Sequence, residues 1–358
     1  MATKTETAVA ASGRFFEDFR LDQEFRHAIP RTVTAGDVAL YTALTGCRFA
    51  INAAAPFARA CGLSDAPVDD LLVFHLVFGR TVPDISLNAV GNLGYAQARF
   101  GAFVYPGDTL HAVSTVIGLR EITNRRAGIL WVRTHGFNQR GESVVDYVRW
   151  VMVAKRTSLA PIAPPPETVV PKLAEAVAAK ELSLPKGLDL AGYDTALSGG
   201  PQRWGDYAVG DRIDHVAGVT VEDAEHQLAA RLYNNPARVH FDRRRSAATA
   251  FGRRLVYGGH VMSLARAQSF EGFPNAFRIA AINGGRHVAP VGGGDTLYAW
   301  TEVRERLELP GRSDVGALRL RTLAFREHEC GEFPDKTIDG KDHPALVLDL
   351  DYTVLLPK

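Results

Sequence analysis

The sequence is poor in cysteine: Cys47, Cys61 and Cys330 are the only three in 358 residues. Their spacing is neither paired nor that of a metal-ligand set, which argues against a disulfide framework and against a zinc site and fits a reducing compartment. Net charge is almost absent as well. Lys and Arg number 41 against 40 Asp and Glu, a balance of +1, so there is no electrostatic case for nucleic acid or an anionic membrane surface as partner. No apolar run approaches the ~20 residues of a membrane-spanning helix. The opening stretch MATKTETAVAASGRFFEDF contains no apolar core of the kind a signal peptide needs. These absences predict a soluble, cytoplasmic protein without metal.

What is present is globular: 46% hydrophobic and 23% charged residues over a length that suits two domains. After a polar start, Thr34 to Asp37 caps an amphipathic segment, Val38 to Leu44, and a helical apolar pattern continues from Phe49 to Cys61. Asp69 and Asp70 precede Leu71 to Phe78, a nearly all-apolar helix and therefore a buried one. From Ala89 the period switches to two. Ala98 to Phe103, Leu110 to Glu121, Ile129 to Phe137 and Val144 to Ala154 read as strands joined by polar turns. Residues 157 to 203 begin proline-rich, as TSLAPIAPPPETVVP, and read as a long linker crossing the first unit's surface.

Beyond the linker the first unit begins again. RFGAFVYPGDTL at Arg99 returns as RHVAPVGGGDTL at Arg286, 187 residues on, and FFEDF around Phe16 returns as RWGDY around Trp204, 188 on. Val33, Thr34 and Asp37 return as Val219, Thr220 and Asp223; Val144 onward corresponds to Val347 onward at a larger offset. An insertion around Glu327 to His343 absorbs that excess. Ordered matches at a nearly constant offset indicate a duplication. Each copy carries a buried helix and four or five antiparallel strands, an α+β unit, and the two would pair as a pseudo-dimer over 15–156 and 204–358.

Arg231 to His260 stands out chemically. Asn234, Asn235 and Pro236 make a turn that leaves His240 just past a bend, and Gly258 and Gly259 sit where a helical pattern begins. A helix N-terminus with free N–H groups suits an anion or a developing oxyanion, and an imidazole beside it could serve acid–base chemistry on a carbonyl compound. The same residues also make an ordinary surface loop.

The stretches FFEDFRL, VPDISLNAVGNLGYA (82–96), RLYNNPARVHFD, FGRRLVYGGHVMSLARA and FRIAAINGGRHVAP resemble the MaoC-like (R)-specific enoyl-CoA hydratases. Among these they resemble the double hot-dog members and, most of all, the mesaconyl-CoA hydratases. The resemblance spans nearly the whole chain. It implies a tandem hot-dog fold, reversible hydration of an enoyl-CoA dicarboxylate thioester, and homo-oligomers. It implies no cofactor, coenzyme A being part of the substrate.

Carried over residue by residue, it places the catalytic histidine at His240. The family's aspartate, five residues earlier, is replaced here by Asn235, which can orient a water but cannot act as a base. In the first copy Cys47 and Asn52 occupy the corresponding places, so that copy should bind or support rather than catalyse. A carboxylate could come instead from Asp70 or Asp69, at the start of the buried helix, or from Asp242; an Asp-Asp before a helix is also an ordinary cap. Gly258, Gly259 and His260 would hold the thioester oxygen, and Tyr233 could bond the substrate or merely pack. Arg253, Arg254, Arg286 and Arg48 could bind the distal carboxylate or the coenzyme A phosphates, or lie on the surface. Other functions compatible with the same pattern are an (R)-3-hydroxyacyl-CoA dehydratase working on ordinary fatty acyl groups, a thioesterase using Asp69 or Asp70, and a non-catalytic acyl-CoA-binding protein.

Overall fold

The computed structural model describes residues 13–122, 126–156, 168–249, 251–337 and 339–358. The first unit has four long strands, β1 (Ala89–Phe100), β2 (Thr109–Glu121), β3 (Ala127–Phe137) and β4 (Ser143–Ala154); the second repeats them as β5 (Arg278–His287), β6 (Thr296–Glu308), β7 (Val315–Arg326) and β8 (Leu346–Pro357). Within each unit the order is 2-3-4-1 or its counterpart 6-7-8-5, all antiparallel. Short strands at Glu24–Arg26 and Arg212–Asp214 cover the two outer edges.

The units join through their inner edges. Strand β1 pairs antiparallel with β5, Tyr95 opposite Gly285 and Arg99 opposite Ala281, which makes one continuous twelve-stranded sheet. Each half wraps a helix: α2 (Asp70–Thr81) in the first, and α4 (Gly258–Gln268) in the second, preceded by α1 (Ala35–Thr45) and α3 (Asp223–Leu232) respectively. This is the α+β tandem hot-dog that the repeat and the resemblance imply. The insertion expected around Glu327 to His343 falls in the connection between β7 and β8.

Helix α1 starts where the sequence predicts: Thr34 accepts from the Asp37 N–H, and Asp37 returns the bond to the Thr34 N–H at 2.8 Å, the reciprocal cap that holds a first turn. In α2 every residue from Leu71 to Thr81 is buried, as an apolar helix surrounded by protein must be. One glycine in it is obligatory. A Cβ on Gly79 would lie 1.8 Å from the Tyr233 carbonyl oxygen, so the first unit's helix touches the backbone of the second unit's loop directly.

Across the pseudo-twofold, the Tyr41 hydroxyl donates to Ser263 Oγ at 3.0 Å, and His75 Nε2 lies 2.9 Å from the same oxygen. The proline-rich opening of the expected linker, 157–167, lies outside the described residues. The remainder runs pinned along the surface. Val169 exchanges backbone bonds with Leu119, the Val177 N–H donates to Asn283 Oδ1, and Leu188, Leu190 and Tyr193 are buried in a second apolar cluster.

Candidate active site

His240 and Asn235 lie against a cavity of about 820 Å³ between the two units. The second unit contributes the loop from Asn235 to His240, the Leu255–Gly258 stretch and His287. The first contributes Phe78, the 86–95 segment and Arg149. The stretch VPDISLNAVGNLGYA thus supplies much of one wall, its residues 82–86 forming a wide helical turn that continues α2 into β1.

The loop is fixed from both sides. Asn234 has a positive φ of 52°, a conformation asparagine tolerates better than most residues, and Arg31 of the first unit donates to its Oδ1 at 2.8 Å. Asn235 Oδ1 accepts from the Ala237 N–H at 3.1 Å, which turns Nδ2 toward His240 Nε2, 3.4 Å away. His240 Nδ1 lies 2.8 Å from the Leu255 carbonyl oxygen. A carbonyl only accepts, so Nδ1 carries the proton and the Nε2 lone pair is the acceptor, facing the Asn235 amide through a long, weak contact. Burial pulls the His240 imidazole down to about 4, the Leu255 bond opposing it. At neutral pH it is therefore an uncharged base.

The helix start at Gly258 has no capping side chain among the described residues: its cap residue, Tyr257, provides no side-chain cap bond to the first N–H groups of α4. Gly258 lines the cavity, whereas Gly259, expected there from the sequence, does not, and the His260 N–H bonds to the Tyr257 carbonyl at 2.8 Å. The paired glycines are required by crowding: a Cβ at Gly258 would stand 2.5 Å from the His287 ring and one at Gly259 2.4 Å from Tyr257. Tyr257 packs at 5.8 Å between ring centroids on His240 and at 5.5 Å on Phe78.

Several sequence-based expectations need correction. Asp70 and Asp69 do not line the cavity. Asp70 is buried beside Arg278, its Oδ2 accepting from the Ile279 N–H at 3.0 Å; burial raises its carboxyl to about 6, the arginine opposing. It ties α2 to β5. Asp69 caps α2 through the Leu71 N–H at 2.8 Å and takes the Cys47 thiol at 3.2 Å. Asp242 caps the short helix Arg243–Ala247 through the Arg245 N–H. None of these carboxylates partners His240.

The arginines named from sequence are engaged elsewhere. Arg253 is bonded to both oxygens of Asp295, at 2.7 and 2.9 Å, and to the Gly293 carbonyl. Arg286 pairs with Asp342 and Asp349, Arg254 with Asp223, and Arg48 with Glu271. No guanidinium of this set is left to hold a substrate carboxylate, and none lines the cavity.

Tyr233 and His260 also lie outside it, bonded to each other at 3.2 Å in the buried interior. Burial raises the tyrosine hydroxyl and lowers His260 to about 3. Their place is packing between the units.

Sequence reasoning does not reach Tyr257, His287, Asn92 and Arg149, all of which line the cavity. For Arg149 a signal exists: it stands in phase with the buried Val145, Tyr147, Val151 and Val153 of β4, an inward-facing charge in an otherwise apolar row. Among the described residues no aspartate or glutamate lines the cavity, whereas Arg149, Arg238 and Arg245 do.

The family model for mesaconyl-CoA hydratase matches residues 2–336. A β-methylmalyl-CoA dehydratase of Chloroflexus aurantiacus is 56% identical over 346 residues, covering 97% of each chain. A mesaconyl-CoA hydratase of Cereibacter sphaeroides is 56% identical over 349 residues, covering 97% of this chain and 99% of that one. Among solved structures, a MaoC domain protein dehydratase from Chloroflexus aurantiacus superposes with a TM-score of 0.93 at 55% identity, covering 97% of this chain and 98% of that one. A Mycobacterium tuberculosis protein with a double hotdog fold superposes at 0.78 with 27% identity, covering 97% and 99%. With a cavity that holds a neutral histidine beside an uncapped helix start, on this fold and at this similarity, the chain belongs to the mesaconyl-CoA hydratase family.

Proposed function

We propose that this chain hydrates mesaconyl-CoA reversibly to β-methylmalyl-CoA, and that it does so at the His240 cavity. The observation carrying the site assignment is the uncharged His240, its unprotonated Nε2 held only by a weak 3.4 Å contact from the Asn235 amide, in a cavity with three arginines and no described carboxylate. A water held between Asn235 and His240 gives its proton to Nε2 as its oxygen bonds to the β-carbon. The C=C electrons move onto the thioester oxygen, and the enolate so formed is held by the N–H groups at the Gly258 helix start. The His240 imidazolium then returns the proton to the α-carbon from the same face, which completes a syn addition; dehydration reverses the steps. The absence of a carboxylate partner suits this cycle, since an imidazolium without a counter-ion readily gives its proton back.

Coenzyme A enters as part of the substrate, with no further cofactor. Arg238 and Arg245 lie on the cavity wall and are exposed, and the exposed Arg243 and Arg244 adjoin them. This cationic group suits the phosphates of the coenzyme. The reading extends to a cytoplasmic enzyme that self-associates: its three cysteines are buried and unpaired, as a reducing compartment allows, and gel filtration reads the assembly. Among the described residues no helix is long and apolar enough to cross a membrane.

Loss of the enoyl-thioester absorbance on mixing with mesaconyl-CoA, with crotonyl-CoA in parallel, tests the function. Rapid loss with mesaconyl-CoA alone is expected. A preference for crotonyl-CoA would make the protein a fatty enoyl-CoA hydratase instead.

A further inference from the structure

Arg149 is fully buried, yet among the described residues it has no carboxylate partner. Its terminal nitrogens donate to neutral hydroxyls, Thr81 Oγ1 at 2.8 Å and Ser86 Oγ at 3.3 and 3.4 Å, and its Nε has no partner. The guanidinium lies 4.3 Å over the Phe78 ring. A cation removed from water without an anion is costly unless something else compensates, and an aromatic face and two hydroxyls compensate only in part.

A second, independent irregularity stands on the neighbouring strand. The side-chain amide of Asn92 has both its oxygen and its nitrogen buried with no partner. Asn92 lies opposite Val151 in the β1–β4 ladder, and Val151 and Arg149, two residues apart, share one face of β4. Both residues line the cavity that holds His240. From His240 the wall runs through the Tyr257 ring to Phe78, on which Arg149 rests.

We propose that Arg149, assisted by Asn92, is the subsite for the substrate's second carboxylate and so determines selectivity for a dicarboxylic thioester. The proposal rests on the mesaconyl-CoA reading above. A carboxylate carried on the β-carbon neutralises the buried guanidinium and takes donors from both side chains. A methyl group at the same place leaves the cation and the amide unsatisfied, and a site built in this way rejects the apolar analogue strongly. Among the described residues Arg149 is thus the one arginine of the cavity that is both buried and without an anion, the role the sequence suggests for Arg253, Arg254, Arg286 or Arg48.

The test uses two saturated thioesters, which offer no double bond to hydrate and differ only in a terminal carboxylate or methyl group, freshly prepared succinyl-CoA and butyryl-CoA. Their binding is measured calorimetrically to the wild-type protein, Arg149→Gln, Arg149→Lys and Asn92→Ala. The wild type should favour succinyl-CoA by about 30-fold or more. Arg149→Gln should abolish that preference while leaving butyryl-CoA within about threefold, Arg149→Lys should restore part of it, and Asn92→Ala should reduce it by about tenfold. Equal weakening of both ligands, or a preference that survives in Arg149→Gln, would overturn the subsite. Should Arg149→Gln not fold, a preference unchanged in Asn92→Ala and Arg149→Lys together would have the same force. Turnover of mesaconyl-CoA by the wild type is scored separately: its absence beside an arginine-dependent preference would remove the function and leave the subsite standing.

Discussion

The two copies of the loop and helix start occupy equivalent places in one duplicated fold and have diverged in opposite directions. In the second unit the helix begins with two glycines and no capping side chain, and the imidazole beside it keeps an unprotonated Nε2 that meets only the Asn235 amide, at 3.4 Å. In the first unit, the corresponding helix begins at Asp69 and Asp70. Asp69 caps the Leu71 N–H and takes the Cys47 thiol, Asp70 is bonded to the Ile279 N–H, and Asn52, standing where the histidine would be, donates to the Pro67 carbonyl. There the protein's own carboxylate takes the N–H group that the proposed mechanism, in the other copy, leaves to an enolate oxygen. On the proposed mechanism, one copy fills with its own side chains the features that the other would use for chemistry. The second copy is in turn held in shape by the first, through Gly79 against Tyr233 and Arg31 on Asn234.

The comparison breaks most visibly at His240. His240→Ala should lower kcat on mesaconyl-CoA by roughly 10³-fold with an unchanged circular dichroism spectrum; turnover within tenfold of wild type would move the base elsewhere. Asn235→Asp sharpens it. Since the base must be uncharged and burial holds it at about 4, wild-type kcat/KM should stay level from neutral pH to about 5 and fall only as pH drops through about 4. A carboxylate beside Nε2 stabilises the imidazolium, so Asn235→Asp should move this acid limb upward by about one unit or more, read from the pH profile. An unmoved limb would mean that Asn235 does not face the base.

In the filled copy the effects should be on stability. Asp69→Ala removes the cap of α2 and the partner of Cys47, and should cost about 1–2 kcal/mol in denaturant unfolding with turnover nearly intact. Loss of activity without loss of stability would argue for chemistry at the first helix. The smallest effect is expected of Cys47→Ser, with kcat/KM within about twofold of wild type, because the residue only donates to Asp69.

Much of this contrast is legible in the sequence. The near-constant repeat offset gives the tandem architecture, since each copy must bury its helix under its own strands. The glycine pair and the Asn-Pro turn mark the candidate site. Which polar residues meet across the units is not legible, because that depends on the β1–β5 junction and on ion pairs formed over long separations. Arg286 reads as a carboxylate ligand until the β7–β8 connection brings Asp342 to it. Arg149 reads as one charge in a strand until α2 and the turn at Ser86 enclose it. Asp70 stands near the glycine positions in alignment, yet the fold directs it toward Ile279.

The most direct test of a single working copy is the number of succinyl-CoA molecules bound per chain at saturation, measured by titration calorimetry. One per chain is the result predicted by a first site filled by Asp69 and Cys47. Two per chain, with comparable affinities, would contradict it.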